Sequence, residues 1–434
     1  MKRRNRKTAP AAILAVCMVI AFAGCGSASG SSNAPIEKPS STPVPEAAPT
    51  AATDRAEVAA PENSAAEEPV TGNEISVPEA DLNSLLAGLV PTQGLEFASN
   101  GDGTCTITGI GACGGQDIVI PVTNSSGETV TAIGEYAFYG EEAASITIPD
   151  LEIELDDDAF SGCSVGTINI YGGTVTIGDN GFAYEEDLSA VNIIGSTVEV
   201  GEYVFYNSGD DAALVIQDCV IDADESAFSG AGFGSVNILR SQITAEGNAF
   251  AYSEDVVSFS VSDSTLDLGE YLVYNTGDDA AFMISNCIVT GDDDVFSGNG
   301  FASIDITSSE LSLGTNAFAY SEGVESMSIS DSIFSLGEYA LYNTGHHAQL
   351  IVSNTTIESG DSMFSGNAFD SMSFENSDIS AGDDAFAYAD DLVYVTISGG
   401  TAELGEYAFY ACNDDLVVNI NGQEHSVDSY GDLV

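Results

Sequence analysis

The chain has 434 residues, with 68 Asp and Glu against 8 Lys and Arg, a formal net charge of −60, and no Trp. So acidic a chain is a poor partner for nucleic acid, heparin-like polymers or anionic membrane surfaces, all of which are bound through clustered cations. Three His and eight Cys with no CxxC pair or His cluster supply no metal or redox motif.

In chain order, the first element is an export signal. Lys2, Arg3, Arg4, Arg6 and Lys7 precede an apolar stretch from Ala11 to Ala23 that is too short for a comfortable membrane span. The segment Phe22-Ala23-Gly24-Cys25 resembles a bacterial lipobox, which implies that Cys25 receives a diacylglycerol and becomes the first mature residue. Plain secretory cleavage near Ala23 is the alternative. Without residues 1–24, three basic residues face 68 acidic ones. Residues 25–74 are Ala, Pro, Ser, Thr and Glu with few large apolar side chains, a composition that cannot offset chain entropy and is expected to form a disordered tether. From 75 to 131 the composition changes to that of an N-terminal cap region. A short helical pattern around Ala80 to Val90 is followed by two strand-like runs that bracket Asn100-Gly101-Asp102-Gly103, a hairpin signal.

The next segment repeats. Phe138, Phe160, Phe182, Phe205, Phe228, Phe250, Val273, Phe296, Phe318, Leu341, Phe364, Phe386 and Phe409 recur every 22 or 23 residues, which predicts about 13 coils over 132–426. A triplet is superimposed on this period: Gly-Glu-Tyr recurs at Tyr136, Tyr203, Tyr271, Tyr339 and Tyr407, with a step of 68 after a first interval one residue shorter. Between these coils lie a Phe-Ser-Gly type and a Phe-Ala-Tyr type. Alternations such as Ser303-Ile304-Asp305-Ile306, Ser326-Met327-Ser328-Ile329 and Ser371-Met372-Ser373-Phe374 predict parallel strands with the apolar set inward. A second inward position is expected at Ile221, Ile243, Leu266, Ile288 and Leu311. No coil can bury these alone, so stacking must stabilise them. The fold class is a repeat solenoid of leucine-rich-repeat-like parallel β coils with short helical turns. Residues 427–434 form a C-terminal tail, and the polar run Asn421 to His425 is expected to cap the stack.

Ala132-Ile133-Gly134-Glu135-Tyr136-Ala137-Phe138-Tyr139-Gly140, followed by Ile146-Thr147-Ile148-Pro149, resembles the repeat of BspA-like leucine-rich repeat surface proteins, and Gly103-Thr104 through Ile118-Val119-Ile120-Pro121 looks like that family's N-terminal cap. Later repeats keep the Gly/acid-x-x-Phe core and lose the Ile-Pro step. The resemblance, over about 95–426, implies a non-enzymatic cell-surface protein that adheres to a host or neighbouring-cell protein; the lipid anchor is implied by the lipobox. A glycan-binding surface or a structural spacer is the alternative. A polysaccharide-active β-helix enzyme is the remote one, because an acid present in every rung is not a site.

Three residues before the marker lie Glu135, Asp157, Asp179, Glu202, Glu225, Glu270, Asp293, Glu338, Asp361, Asp383 and Glu406, broken only by Gly247 and Thr315. This row is expected to cap the N–H groups of the short helical turns. The competing expectation is that it collects Ca²⁺ together with Asp210, Asp211, Asp278 and Asp279; no other cofactor is expected. Tyr139, Tyr206, Tyr274, Tyr342 and Tyr410 in one coil type, and Tyr184, Tyr252, Tyr320 and Tyr388 in another, are the candidate binding surface; packing against the neighbouring coil is an equal expectation. Cys105 and Cys113 flank the hairpin and are candidates for a disulfide. Cys219 and Cys287, three coils apart, stand roughly 14 Å from each other, beyond bonding reach. They are expected to be buried small residues. His346-His347 takes the place of the paired Asp of sister coils and is expected to be a solvated loop.

Overall fold

A computed structural model describes residues 81–434, apart from 210, 278 and 279. The signal segment, Cys25 and the tether lie outside the described residues.

Alternating apolar positions give each coil two strands. A four-residue strand such as Thr265–Leu268 buries its second and fourth residues, and a longer one such as Ser326–Ser330 buries Met327 and Ile329. Stacked coil on coil, they build two 15-stranded sheets, one starting at Glu96–Ser99 and ending at Thr401–Leu404, the other running from Asp117–Val119 to Gln423–His425. Pairing is parallel except at one end of each sheet. Glu96–Ser99 closes the first sheet as the antiparallel hairpin expected around Asn100 to Gly103, and Gln423–His425 folds back on Val417–Ile420 to end the second. The parallel stack begins at Thr104–Gly109, so about one coil precedes the 13 that the marker reveals.

Register pairs each residue with its equivalent one repeat away, as in Leu266 opposite Ile243 and Val289. Columns of like side chains follow. The register corrects one expected core position: Ile288 is 52% exposed, and Val289 points inward in its place. The other four, Ile221, Ile243, Leu266 and Leu311, are buried as expected.

The markers form an aromatic column inside the coil. Phe138, Phe160 and Phe182 stack with centroids 4.6 and 4.8 Å apart, and Phe364, Phe386 and Phe409 repeat the arrangement at 4.9 Å. Where Val273 interrupts, rings from the second sheet fill in, with Phe259 against Phe250 and Phe282 against Phe296. Each buried Phe contributes about 1.5–3 kcal/mol by transfer, and ring contact adds roughly 0.5–1.5 kcal/mol.

The expected short helical turns are absent among the described residues of the coils. The one helix among the described residues is Leu82–Leu86, in the cap, with Asp81 as its N-cap. Two left-handed residues bracket each marker, for example Asn180 and Tyr184 around Phe182, and Tyr203 and Asn207 around Phe205. Such residues prevent a helix and aim backbone groups along the stack. Phe182 N–H donates to the Val204 carbonyl and Phe228 N–H to that of Ala249, so the third side of the coil is also a ladder between rungs.

Candidate functional site

The third side carries the tyrosines, and the backbone explains their arrangement. Left-handed backbone suits Gly, Asn and Asp and is an outlier for a bulky residue, costing about 1–2 kcal/mol. Two residues before the marker, the other coil types use Asp158, Asn180, Ser226, Asn248, Asp294, Asn316, Ser362 and Asp384. The Gly-Glu-Tyr coils place Tyr136, Tyr203, Tyr271, Tyr339 and Tyr407 there. Two residues after the marker, Gly or Asn serves in most coils, whereas Tyr184, Tyr252, Tyr320 and Tyr388 stand in the Phe-Ala-Tyr type. Nine tyrosines among the described residues thus occupy positions where a small polar residue would cost less.

These rings meet at the surface. Tyr206 meets Tyr203 of its own coil and Tyr184 of the preceding coil in T-shaped contacts, each at 5.8 Å. The set recurs as Tyr252, Tyr271 and Tyr274, and again as Tyr320, Tyr339 and Tyr342, with spacings of 5.6 to 5.8 Å. Incomplete copies stand at the ends as Tyr136–Tyr139 and Tyr388–Tyr410. The next coil seats the central ring on a glycine: a Cβ at Gly230 would stand 2.9 Å from Tyr206 Cδ2, and one at Gly298 would stand 2.7 Å from Tyr274 Cε2. The Gly of Phe-Ser-Gly and the Tyr of the preceding coil are therefore one feature. Tyr139 is 62% exposed and Tyr274 37%, with most of the others between them; Tyr271 and Tyr342 are half-buried. Equivalent triads are three rungs apart, about 14 Å at strand spacing.

The Gly-Glu-Tyr tyrosines serve in the sequence only to phase the triplet; the structure adds them to the surface. Their signal is legible in retrospect, since a Tyr invariably replaces Asp, Asn or Ser in one coil type. Asp294 and Glu270 raise the Tyr271 phenol above its ordinary value, and a hydrogen bond from Tyr136 to Asp158 does the same for Tyr136.

The acid row divides by side-chain length. Oδ1 of Asp157, Asp179, Asp293, Asp361 and Asp383 accepts a backbone N–H from the next coil, at 2.7 to 3.0 Å. The expected capping is therefore corrected in its donor, which belongs to the neighbouring coil and not to a helix. Glycine makes room for it: a Cβ at Gly178 would stand 2.6 Å from Asp157 Oδ1, and one at Gly201 would stand 2.7 Å from Asp179 Oδ1. Among the described residues the Glu members accept none of these bonds. Glu135, Glu202, Glu270, Glu338 and Glu406 are exposed beside the tyrosines. Of the calcium candidates, Asp210, Asp278 and Asp279 lie outside the described residues, and Asp211 is an exposed left-handed turn residue.

A second ladder, of small hydroxyl residues, has no motif that marks it in the sequence. At the corner between the sheets, Ser196, Ser241, Ser264, Ser309, Ser332, Thr355 and Ser377 are buried in register with Cys219 and Cys287. Ser241 N–H donates to Ser264 Oγ at 3.0 Å, Ser309 N–H to Ser332 Oγ at 3.1 Å, and each hydroxyl turns its own proton to a carbonyl two residues back. Cys219 and Cys287 are buried small residues, as expected, and occupy rungs of this ladder. Cys163 and Cys412 belong to another column, where each thiol meets the carbonyl of the preceding coil's marker, Phe138 and Phe386. Cys105 and Cys113 are free thiols: one faces Glu128 O and the other Gln93 O, so the candidate disulfide is not formed. His347 is exposed, with Nδ1 3.0 Å from Asp370 Oδ1, which raises its pKa.

In the column that holds Cys163, one member is out of character. Glu185 is fully buried where equivalent coils carry Ser253, Ser321 and Ala389. Its Oε1 accepts the Cys163 N–H at 3.1 Å, its Oε2 has no hydrogen-bond partner, and burial pushes its pKa up to about 9.

The sequence matches the family described as the BspA type leucine rich repeat region, in six copies over residues 117–230, 222–309 and 290–415. The chain belongs to this family. No curated protein matches it. Solved structures similar to it include a leucine-rich repeat protein from Bacteroides ovatus, 18% identical over 77% of this chain and 88% of that one, with a TM-score of 0.40. A leucine rich cell surface protein from Faecalibacterium prausnitzii is also 18% identical, over 77% and 95%, with a TM-score of 0.30. The pneumococcal vaccine antigen PcpA is 14% identical over 72% and 87%, with a TM-score of 0.23. Family membership rests on the sequence match and agrees with the rung geometry.

Proposed function

We propose that this BspA type protein is a non-catalytic, surface-displayed recognition protein, exported by residues 1–24, anchored through Cys25, and bound to an extracellular or host-surface protein through its tyrosine face. The observation that carries this reading is the set of nine tyrosines held in left-handed backbone at positions where other coils use Asp, Asn, Ser or Gly. Strain of this kind persists where the surroundings over-determine it and concentrates at functional surfaces. Tyrosine supplies large, rigid, amphipathic contact area, and its hydroxyl tolerates solvent between encounters. A spacer would need only the buried columns, and those are complete without the rings.

The test is to probe the whole mature chain against arrays of extracellular-matrix proteins and glycans, beside a variant with Tyr184, Tyr252, Tyr320 and Tyr388 changed to Asn. Protein binding that the variant loses supports the reading. A tyrosine-dependent signal confined to glycans would move the ligand class to sugars, and no tyrosine-dependent binding on either array would leave a structural spacer.

A further inference from the structure

The tyrosine face is both periodic and one-sided in charge, and together these properties select a partner. Every triad carries one exposed glutamate from its Gly-Glu-Tyr segment, as Glu202 beside Tyr203 and Glu270 beside Tyr271. The Asp members of the same row are spent on backbone N–H groups between coils, so these Glu carboxylates remain turned to solvent. The sole Lys or Arg of the repeats, Arg240, is engaged with Asp218 at 2.7 and 2.8 Å. A cation brought to a triad would meet ring faces and a carboxylate at once, a combination that favours guanidinium and ammonium groups.

Resting on the proposed reading of the tyrosine face, we propose that its partner is an extended cationic peptide segment lying along the stacking direction, one Lys or Arg side chain per triad.

Spacing supports an extended partner. Triads recur every three rungs, about 14 Å, and four residues of extended chain span roughly 13 Å with the first and fifth side chains on one face. The mismatch of about 1 Å per site lies within the reach of a long basic side chain. A helix does not match: about nine helical residues cover 13.5 Å but rotate through two and a half turns, which puts the second side chain on the opposite face. Several triads engaged by one segment raise its affinity by effective concentration, without any site being strong by itself.

Absence of Trp lets tyrosine emission report binding directly. The full chain is titrated with two synthetic peptides of about 20 residues and identical composition, one with Lys at every fourth position in a Ser/Thr background, the other with its Lys in one block, at roughly 150 mM salt, where long-range attraction is screened. The expected result is at least tenfold tighter binding of the spaced peptide. Changing Tyr184, Tyr252, Tyr320 and Tyr388 to Asn, which leaves the net charge untouched, should remove that preference. A second variant, with Glu135, Glu202, Glu270, Glu338 and Glu406 changed to Gln, keeps the rings and should weaken the spaced peptide tenfold; it serves also if the first variant fails to fold. Equal binding of the two peptides, or a preference that survives both variants, would overturn the proposal and leave only polyelectrolyte attraction. Tyrosine-dependent capture of a matrix protein with no preference for the spaced peptide would sink the cationic partner while sparing the tyrosine face, whereas failure of both would remove both.

Discussion

Replacing Ser264 tests whether the hydroxyl corner ladder holds the coils together. Ser264 is buried, accepts the Ser241 N–H at 3.0 Å and donates to the Ser262 carbonyl at 2.6 Å. Ser264→Ala leaves the buried Ser241 N–H without an acceptor, which costs about 1–3 kcal/mol. Ser264→Cys puts there the side chain that this column already carries at Cys219, whose sulfur accepts the Ser196 N–H at 3.5 Å. A weak acceptor in place of none should hold the loss below about 1 kcal/mol. Urea denaturation gives the stability difference, and amide exchange at Ser241 localises it, since each coil is stabilised chiefly by its neighbours. If Ser264→Ala costs less than about 0.5 kcal/mol, or Ser264→Cys costs as much as Ser264→Ala, the hydroxyls are passengers and the ladder argument fails.

Asp293→Glu should cost about 1 kcal/mol or more in urea denaturation, because the longer side chain overshoots the Thr315 N–H, while Asp293→Asn keeps an acceptor and should cost less. Tyr203→Asn should change stability by no more than about 1 kcal/mol, easier left-handed backbone offsetting the absent attraction between the Tyr203 and Tyr206 rings, whereas Tyr203→Val should be clearly worse; equal effects would refute the backbone argument. Glu185 should make stability fall with rising pH. Its folded value of about 9 lies above the ordinary 4.5, so its contribution is intact below about pH 4.5 and is lost between about 5 and 9, at up to about 1.4 kcal/mol per pH unit. Melting from pH 6 to 9 should show this slope, and Glu185→Gln should flatten it. Cys25→Ala should release the chain from the membrane fraction of its host and abolish incorporation of a labelled fatty acid; retention of label would reject the anchor.

The sequence alone determined what repeats along one coil. Phe138 through Phe409 set the period, alternations such as Met327-Ser328-Ile329 set the inward face of the strands, and Tyr206 or Tyr252 could be marked as surface candidates because their recurrence is written in the chain. The hairpin at Asn100 to Gly103 was legible for the same reason: its partners are neighbours in sequence. What only the tertiary structure decided depends on partners 22 or 23 residues away. Whether the segment around Phe182 forms a helical turn or a ladder turns on where its N–H groups find carbonyls, and Phe182 N–H finds Val204 of the next coil. Whether Ile288 or Val289 faces inward is a matter of inter-strand register, since either residue suits a strand. Asp and Glu look interchangeable in the acid row until the neighbouring N–H and the glycine that admits the shorter carboxylate are in place. The tyrosines of Gly-Glu-Tyr became part of the surface only when the stack forced their backbone left-handed and set their rings against the tyrosine three residues on, which the adjoining coil's tyrosine also meets.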